Sequence, residues 1–224
     1  MSKDERLELL PNDIPLTTMS APEPARRPFT GSCHCGKTKY IVFLTIPHTP
    51  PPLSSLHLPG QKMYKCNCTN CQKAAYLHLR LDNAAADFLL LSPLDPRESL
   101  GDYRCNTGEF HFFFCKSCGG KCFLFCGGHE VAEVPLDDIG IDAGKLGDGV
   151  QVGDGKIKVW RGKQGVFDES KRMGFLSVNA HTLDAGQEGM DLREWHEKGW
   201  ILYLDGLAGK GKPQYGTAHE GGVY

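Results

Sequence analysis

The alternation of apolar and polar positions reads as a chain of short strands. Residues 37–44 follow a glycine and combine β-branched with aromatic side chains, which predicts a strand. Met63, Tyr64 and Lys65 predict a second short one, and residues 72–77 one helical turn after it. Alternating and apolar runs follow at 77–81 and 88–91. Phe110-His111-Phe112-Phe113-Phe114 ends directly at Cys115, and residues 121–125 predict its return strand, with Gly119 and Gly120 at the turn. Residues 134–136, 156–160 and 174–179 predict further strands, the middle one by clear alternation. A short helix is expected over 190–195, and 200–204 is an apolar segment that packs. Strands outnumber helices, so the expected class is mainly β with small helices.

Proline and glycine divide the chain. Pro11, Pro15, Pro22, Pro24 and Pro28 interrupt any regular element, which makes residues 1–28 an irregular N-terminal arm. The stretch 47–59, with Pro50-Pro51-Pro52, is a loop, and 144–155 is loop-rich. From Gly206 onward glycine is frequent, and a poorly ordered end is expected. The organisation that follows is an arm over 1–28, a folded domain over 29–184 and a C-terminal extension over 185–224.

The 224 residues suit one medium domain with extensions, or at most two domains. Lysine plus arginine, 25, nearly cancels aspartate plus glutamate, 27, so no basic surplus drives nucleic-acid binding. No apolar run approaches the ~18 residues of a membrane span. Residues 1–15 lack the apolar core of a secretory signal. The expectation is a cytoplasmic protein, with no membrane partner and with thiols reduced or metal-bound. Oligomeric state is not legible here.

The cysteines change the picture. Seven of the ten fall in three clusters: Cys33 and Cys35, then Cys66, Cys68 and Cys71, then Cys115 and Cys118. A buried cysteine is only a small apolar filler, so packing does not explain such bunching. Soft thiolates at this spacing are what zinc selects. A closed structural site takes four ligands, so counting puts Cys33, Cys35, Cys115 and Cys118 on one ion. Cys66, Cys68 and Cys71 are left for a second ion with one position open, the mark of a catalytic or substrate-binding zinc. Cys122, Cys126 or a histidine remain alternatives for closing that position, and Cys105 reads as a strand thiol. Candidate general acids or bases are His34, His78 and His111.

The three clusters, Gly31-Ser32-Cys33-His34-Cys35-Gly36, Cys66-Asn67-Cys68-Thr69-Asn70-Cys71 and Phe114-Cys115-Lys116-Ser117-Cys118-Gly119, together resemble the glutathione-dependent formaldehyde-activating enzyme family, which also contains centromere protein V. The resemblance covers roughly residues 29–184 and includes a closing strand near Leu176-Ser177-Val178-Asn179. It implies an Mss4-like, mainly β fold. It implies a structural zinc on Cys33, Cys35, Cys115 and Cys118, and a second zinc on Cys66, Cys68 and Cys71 with an exchangeable fourth ligand. It also implies carbon–sulfur lyase chemistry on a thiol adduct of a small carbonyl compound, with glutathione as the possible co-substrate. Family members often carry histidine and arginine where this chain has Asn67 and Gln72. Lys37, Lys39, Arg80 and Arg104 are candidate partners for glutathione carboxylates. The competing expectation is a non-catalytic, zinc-stabilised module that binds a protein or nucleic acid.

Overall fold

The computed structural model describes residues 23–223 apart from 164, 169 and 172. In chain order the strands are β1 (Ala25–Ser32), β2 (Lys39–Ile46), β3 (Lys62–Cys66), β4 (Leu77–Arg80), β5 (Phe88–Ser92), β6 (Gly101–Tyr103), β7 (His111–Phe114) and β8 (Lys121–Cys126). They continue as β9 (His129–Pro135), β10 (Val152–Gly153), β11 (Lys156–Gly162), β12 (Phe175–Asn179), β13 (Leu202–Leu204) and β14 (Gln214–Tyr215). The helices are short: α1 (Thr69–Lys73), α2 (Pro96–Ser99) and α3 (Leu192–Glu197). The class is mainly β, as expected.

Two sheets form, and neither closes into a barrel. The first runs β1-β2-β5-β11-β10, with β9 also paired to β11; the second runs β14-β13-β3-β4-β12-β8-β7-β6. All pairings are antiparallel except β13 on β3. Tyr40, Val42 and Leu44 of β2 share the main core with Leu79 of β4, Phe123 of β8 and Val178 of β12, so that core lies between the sheets. Ile41 and Phe43 point the other way and are buried under Ile139 and Leu146. Burial on both faces is why β2 is a continuous apolar run rather than an alternating one. On the outer face of the second sheet, Phe112 and Leu124 join Tyr76 and Cys71 in a separate cluster.

Three segments differ from expectation. The arm lies outside the described residues as far as Pro22, but from Ala25 the chain is already an edge strand paired to β2 along its length. Pro28 is tolerated there because it faces Phe43, whose N–H points away to Asp87 O. At that non-hydrogen-bonded position the missing proline N–H would have faced outward. The helix after the cysteine triplet starts at Thr69 rather than Gln72, because the Cys68 side chain caps it by accepting from Cys71 N–H. Ala75, at φ 47°, then turns the chain into β4.

The segment beyond residue 184 enters the same core. Trp195 and Tyr203 are buried in it, and Trp195 donates its indole N–H to Gly189 O at 3.0 Å. The glycine-rich end expected to be poorly ordered folds back instead. The Asp205 carboxylate accepts backbone N–H groups from Ala208, Lys210 and Gly211 at 2.8–3.1 Å, and β14 pairs with β13. No helix among the described residues is long and apolar enough to cross a membrane.

Candidate metal centres

Two hairpin turns build the first centre. Cys33 and Cys35 lie between β1 and β2, and Cys115 and Cys118 lie between β7 and β8. Cys33 O accepts from Gly36 N–H at 2.9 Å, and Cys33 Sγ accepts from Thr38 N–H at 3.2 Å. In the second turn Gly119, at φ +74°, donates to Cys115 O at 2.8 Å. Gly120 must also be small, since a Cβ there would sit 3.1 Å from Cys33 Cβ. The four sulfurs lie within 4.8 Å of one another, with Cys33–Cys35 at 3.6 Å and Cys35–Cys115 at 3.5 Å. Metal–sulfur bonds of about 2.3 Å separate tetrahedral sulfurs by about 3.8 Å, so the spacing fits a four-thiolate ion. Backbone N–H groups, Gly120 first, hold the Cys118 thiol down to about 6, toward the form a metal binds. Since each sheet contributes one turn, an ion here would tie the two sheets together.

The second centre sits on the outer face of the second sheet. Cys66 ends β3, Cys68 caps α1 and Cys71 lies within it. Their sulfurs are again within 4.8 Å of one another, and no further His, Cys, Asp or Glu of the described residues joins the set. Cys68 N–H reaches Cys66 Sγ at 3.4 Å, and Cys71 N–H reaches Cys68 Sγ at 3.5 Å. The Cys66 thiol is lowered to about 6, chiefly by a hydrogen bond from the Cys71 thiol, with help from Cys68 and Gly206 N–H. Sharing with Cys66 and burial push Cys71 up. Each cysteine group could hold one metal ion.

The histidines separate sharply. His34 is exposed in the first turn. His111 shares its face of β7 with Phe113 of the inter-sheet core, opposite to Phe112 and the triplet, and its Nδ1 pairs with Asp102 Oδ2 at 2.9 Å. Of these three only His78 meets the triplet: its Nε2 lies 3.2 Å from Cys71 Sγ, and burial holds its imidazole down to about 3. Of the basic candidates, Lys37 donates to Ser117 Oγ and Lys39 to Asp148 O. Arg104 pairs with Asp102, and Arg80 lies over the Phe167 and Phe175 rings. They do not converge on a carboxylate site. Cys122 and Cys126 are buried in β8 and join neither group; Cys105 packs on the same apolar cluster as Cys66 and Cys68.

Sequence reasoning missed the contribution of the chain's end. Asn67 Nδ2 donates to Asp205 Oδ1 at 3.0 Å and to Glu220 O at 3.2 Å, while Asn67 Oδ1 accepts from Leu207 N–H at 2.9 Å. The residue between the first two thiols of the triplet therefore anchors the C-terminal segment.

No family model matches the chain. Among solved structures, the crystal structure of a Rhodobacter sphaeroides protein aligns with 71% of this chain and 91% of its own at 14% identity, with a TM-score of 0.37. A likeness at that level carries neither a fold family nor a function to this chain.

Proposed function

We propose that this chain is a zinc-dependent carbon–sulfur lyase acting on the adduct of a small carbonyl compound with glutathione or another thiol. It would be an Mss4-like protein of the formaldehyde-activating type. The observation that carries the reading is the pairing of a complete four-thiol set with a three-thiol set that lacks a fourth donor among the described residues. The first set would hold a structural zinc and the second a functional one.

When bound at the second set, zinc supplies a Lewis acid that favours a coordinated thiolate over the thiol. Cys66, Cys68 and Cys71 would hold the metal, and with only three protein donors they would leave room for the sulfur of the adduct. Phe110 and Phe175 pack, as Cys66 and Cys68 do, on the apolar cluster that contains Cys71, so the surroundings of the triplet are largely apolar. Breakdown of a thiohemiacetal breaks the C–S bond and leaves its electron pair on sulfur, while the carbinol oxygen gives up its proton as the carbonyl forms. No histidine is assigned to that proton, because His34 and His111 lie elsewhere and His78 is turned to Cys71.

A binding module remains the second reading, favoured by a specific observation. The space between Cys66, Asn67 and the C-terminal residues His219, Gly222 and Val223 is only about 10 Å³, so this side of the triplet is covered. Zinc analysis and a thiohemiacetal cleavage assay on metal-replete protein separate the two. Two zinc ions with turnover support the lyase. Two zinc ions without turnover on any thiol adduct leave the binding module, and fewer than two remove the partition itself.

A further inference from the structure

The triplet has a neighbour whose geometry is more restrictive than burial requires. His78 lies on β4 between β3 and β12. The register sets Tyr64 directly opposite it on β3, and Asn179 opposite it on β12. Ser177, two residues from Asn179, therefore occupies the diagonal position on the same face. The Tyr64 ring stacks on the imidazole at 4.4 Å and 5°, and the Tyr76 ring covers it at 4.4 Å and 35°. Tyr76 is fixed by its own hydroxyl, which donates to Ser177 O at 3.2 Å. Within this clamp, Nδ1 meets Ser177 Oγ at 3.0 Å and Nε2 meets Cys71 Sγ at 3.2 Å.

We propose that His78 is a positioning residue of the second metal centre: its Nε2–H donates to the metal-bound Cys71 thiolate, with the tautomer set by the Ser177 hydroxyl. The inference rests on the reading that Cys66, Cys68 and Cys71 hold a metal. A coordinated Cys71 has no S–H, so a bare Nε2 lone pair at 3.2 Å would face a negative sulfur. The hydrogen must then sit on Nε2, and Nδ1 must accept, which the Ser177 hydroxyl satisfies. Such an N–H···S bond draws electron density from the sulfur. Hydrogen bonding around a thiolate is one of the ways a protein tunes its metal. Three thiolates on a divalent ion leave the centre formally at −1, and this bond offsets part of that charge. The centre would then accept an incoming thiolate more readily.

The test uses the full chain loaded with cobalt(II) in its wild-type form and as His78→Phe, His78→Gln and Ser177→Ala. Cobalt stoichiometry reports the underlying reading: one cobalt in the wild type, with none at the triplet, sinks that reading and leaves the first centre as control. With two bound, His78→Phe should move the sulfur-to-cobalt charge-transfer band to lower energy and weaken the second cobalt about tenfold or more against a chelator. His78→Gln, which can place an N–H near the Nε2 position, should restore most of both. Ser177→Ala should give a smaller shift of the same sign. A charge-transfer band unchanged in His78→Phe, or equal loss of the second cobalt in the Phe and Gln variants, would overturn the proposal in favour of a space-filling His78.

Discussion

Gly206 lies directly against the Cys66 thiol: a Cβ built on it would fall 2.6 Å from Cys66 Sγ and 3.1 Å from Cys68 Cβ. The contact spans 140 positions of sequence, and β13, parallel to β3, delivers it. Substitution of Gly206 by alanine should therefore strain the second centre and spare the first. Overpacking of this kind costs about 1–3 kcal/mol, which is roughly five- to a hundred-and-fiftyfold in metal affinity if it falls wholly on the metal-bound state. Chelator competition on Gly206→Ala should show one metal lost early and the other held as in the wild type. Two metals lost together would mean that the segment supports the whole fold rather than the triplet.

The two centres should differ in what they support. Cys115 belongs to a set joining both sheets, whereas Cys68 sits on the outer face of one. Zinc binding contributes on the order of 10 kcal/mol to the folding of small zinc peptides. If even a third of that applies here, Cys115→Ser lowers Tm by roughly 10 °C. Cys68→Ser should cost only a few degrees and remove thiol binding. Melts of both variants, taken with zinc present, check the order; the reverse order would exchange the roles of the two centres.

His48 offers an acid-stability prediction independent of the metals. It is buried beside Trp200, its Nδ1 meets Gln61 Nε2 at 3.2 Å, and its Nε2 has no partner. Burial lowers its imidazole from 6.5 to about 4. The unfolded chain thus binds a proton that the folded chain refuses between these values. Stability from this group is complete above pH 6.5 and falls with pH toward 4, by at most about 1.4 kcal/mol per pH unit. Metal thiolates are acid-sensitive too, so the informative quantity is the difference between His48→Gln and wild type in denaturant melts from pH 7 to 4.5. The variant should lose less stability over that interval; parallel losses would mean that His48 is solvated.

Much of the architecture was legible because its signals are local. The alternation in 156–160 and 174–179 marked β11 and β12, and the phenylalanine run into Cys115 marked β7 with its turn. Cysteine spacing brought out the triplet and each of the two pairs, since tight turns place their thiols by short-range geometry, and counting to four joined the two pairs across the sheets into one group that could hold a metal. What escaped was long-range. Pro28 argues against a strand until one knows that β1 is an edge. Glycines 206, 209 and 211 suggest looseness until Asp205 gathers the backbone N–H groups around them. The roles of Asn67 and Ser177 depend on partners on other strands or about 140 residues away, and no local pattern encodes such pairs.

The last prediction concerns the fourth position of the triplet. Cys66, Cys68 and Cys71 have no fourth donor in their mutual set, yet Cys105 packs on the same apolar cluster. An added thiol should therefore coordinate in the metal-loaded protein, and cobalt substitution makes this visible as a stronger sulfur-to-cobalt band. Coordination releases the thiol proton, so apparent affinity should rise about tenfold per pH unit below a thiol pKa of about 8.5 and level off above it. Lys37, Lys39 and Arg104 are committed to other partners, so the carboxylates of glutathione gain little from them. Glutathione should then bind no more than a few-fold better than a neutral alkyl thiol of similar size. A titration of both thiols at pH 6.5 and 7.5, with two cobalt ions bound, measures affinity and slope together. An unchanged spectrum at millimolar thiol would mean a closed centre and would favour the binding-module reading. If the response then returned in Cys105→Ser, Cys105 would be the residue that closes it.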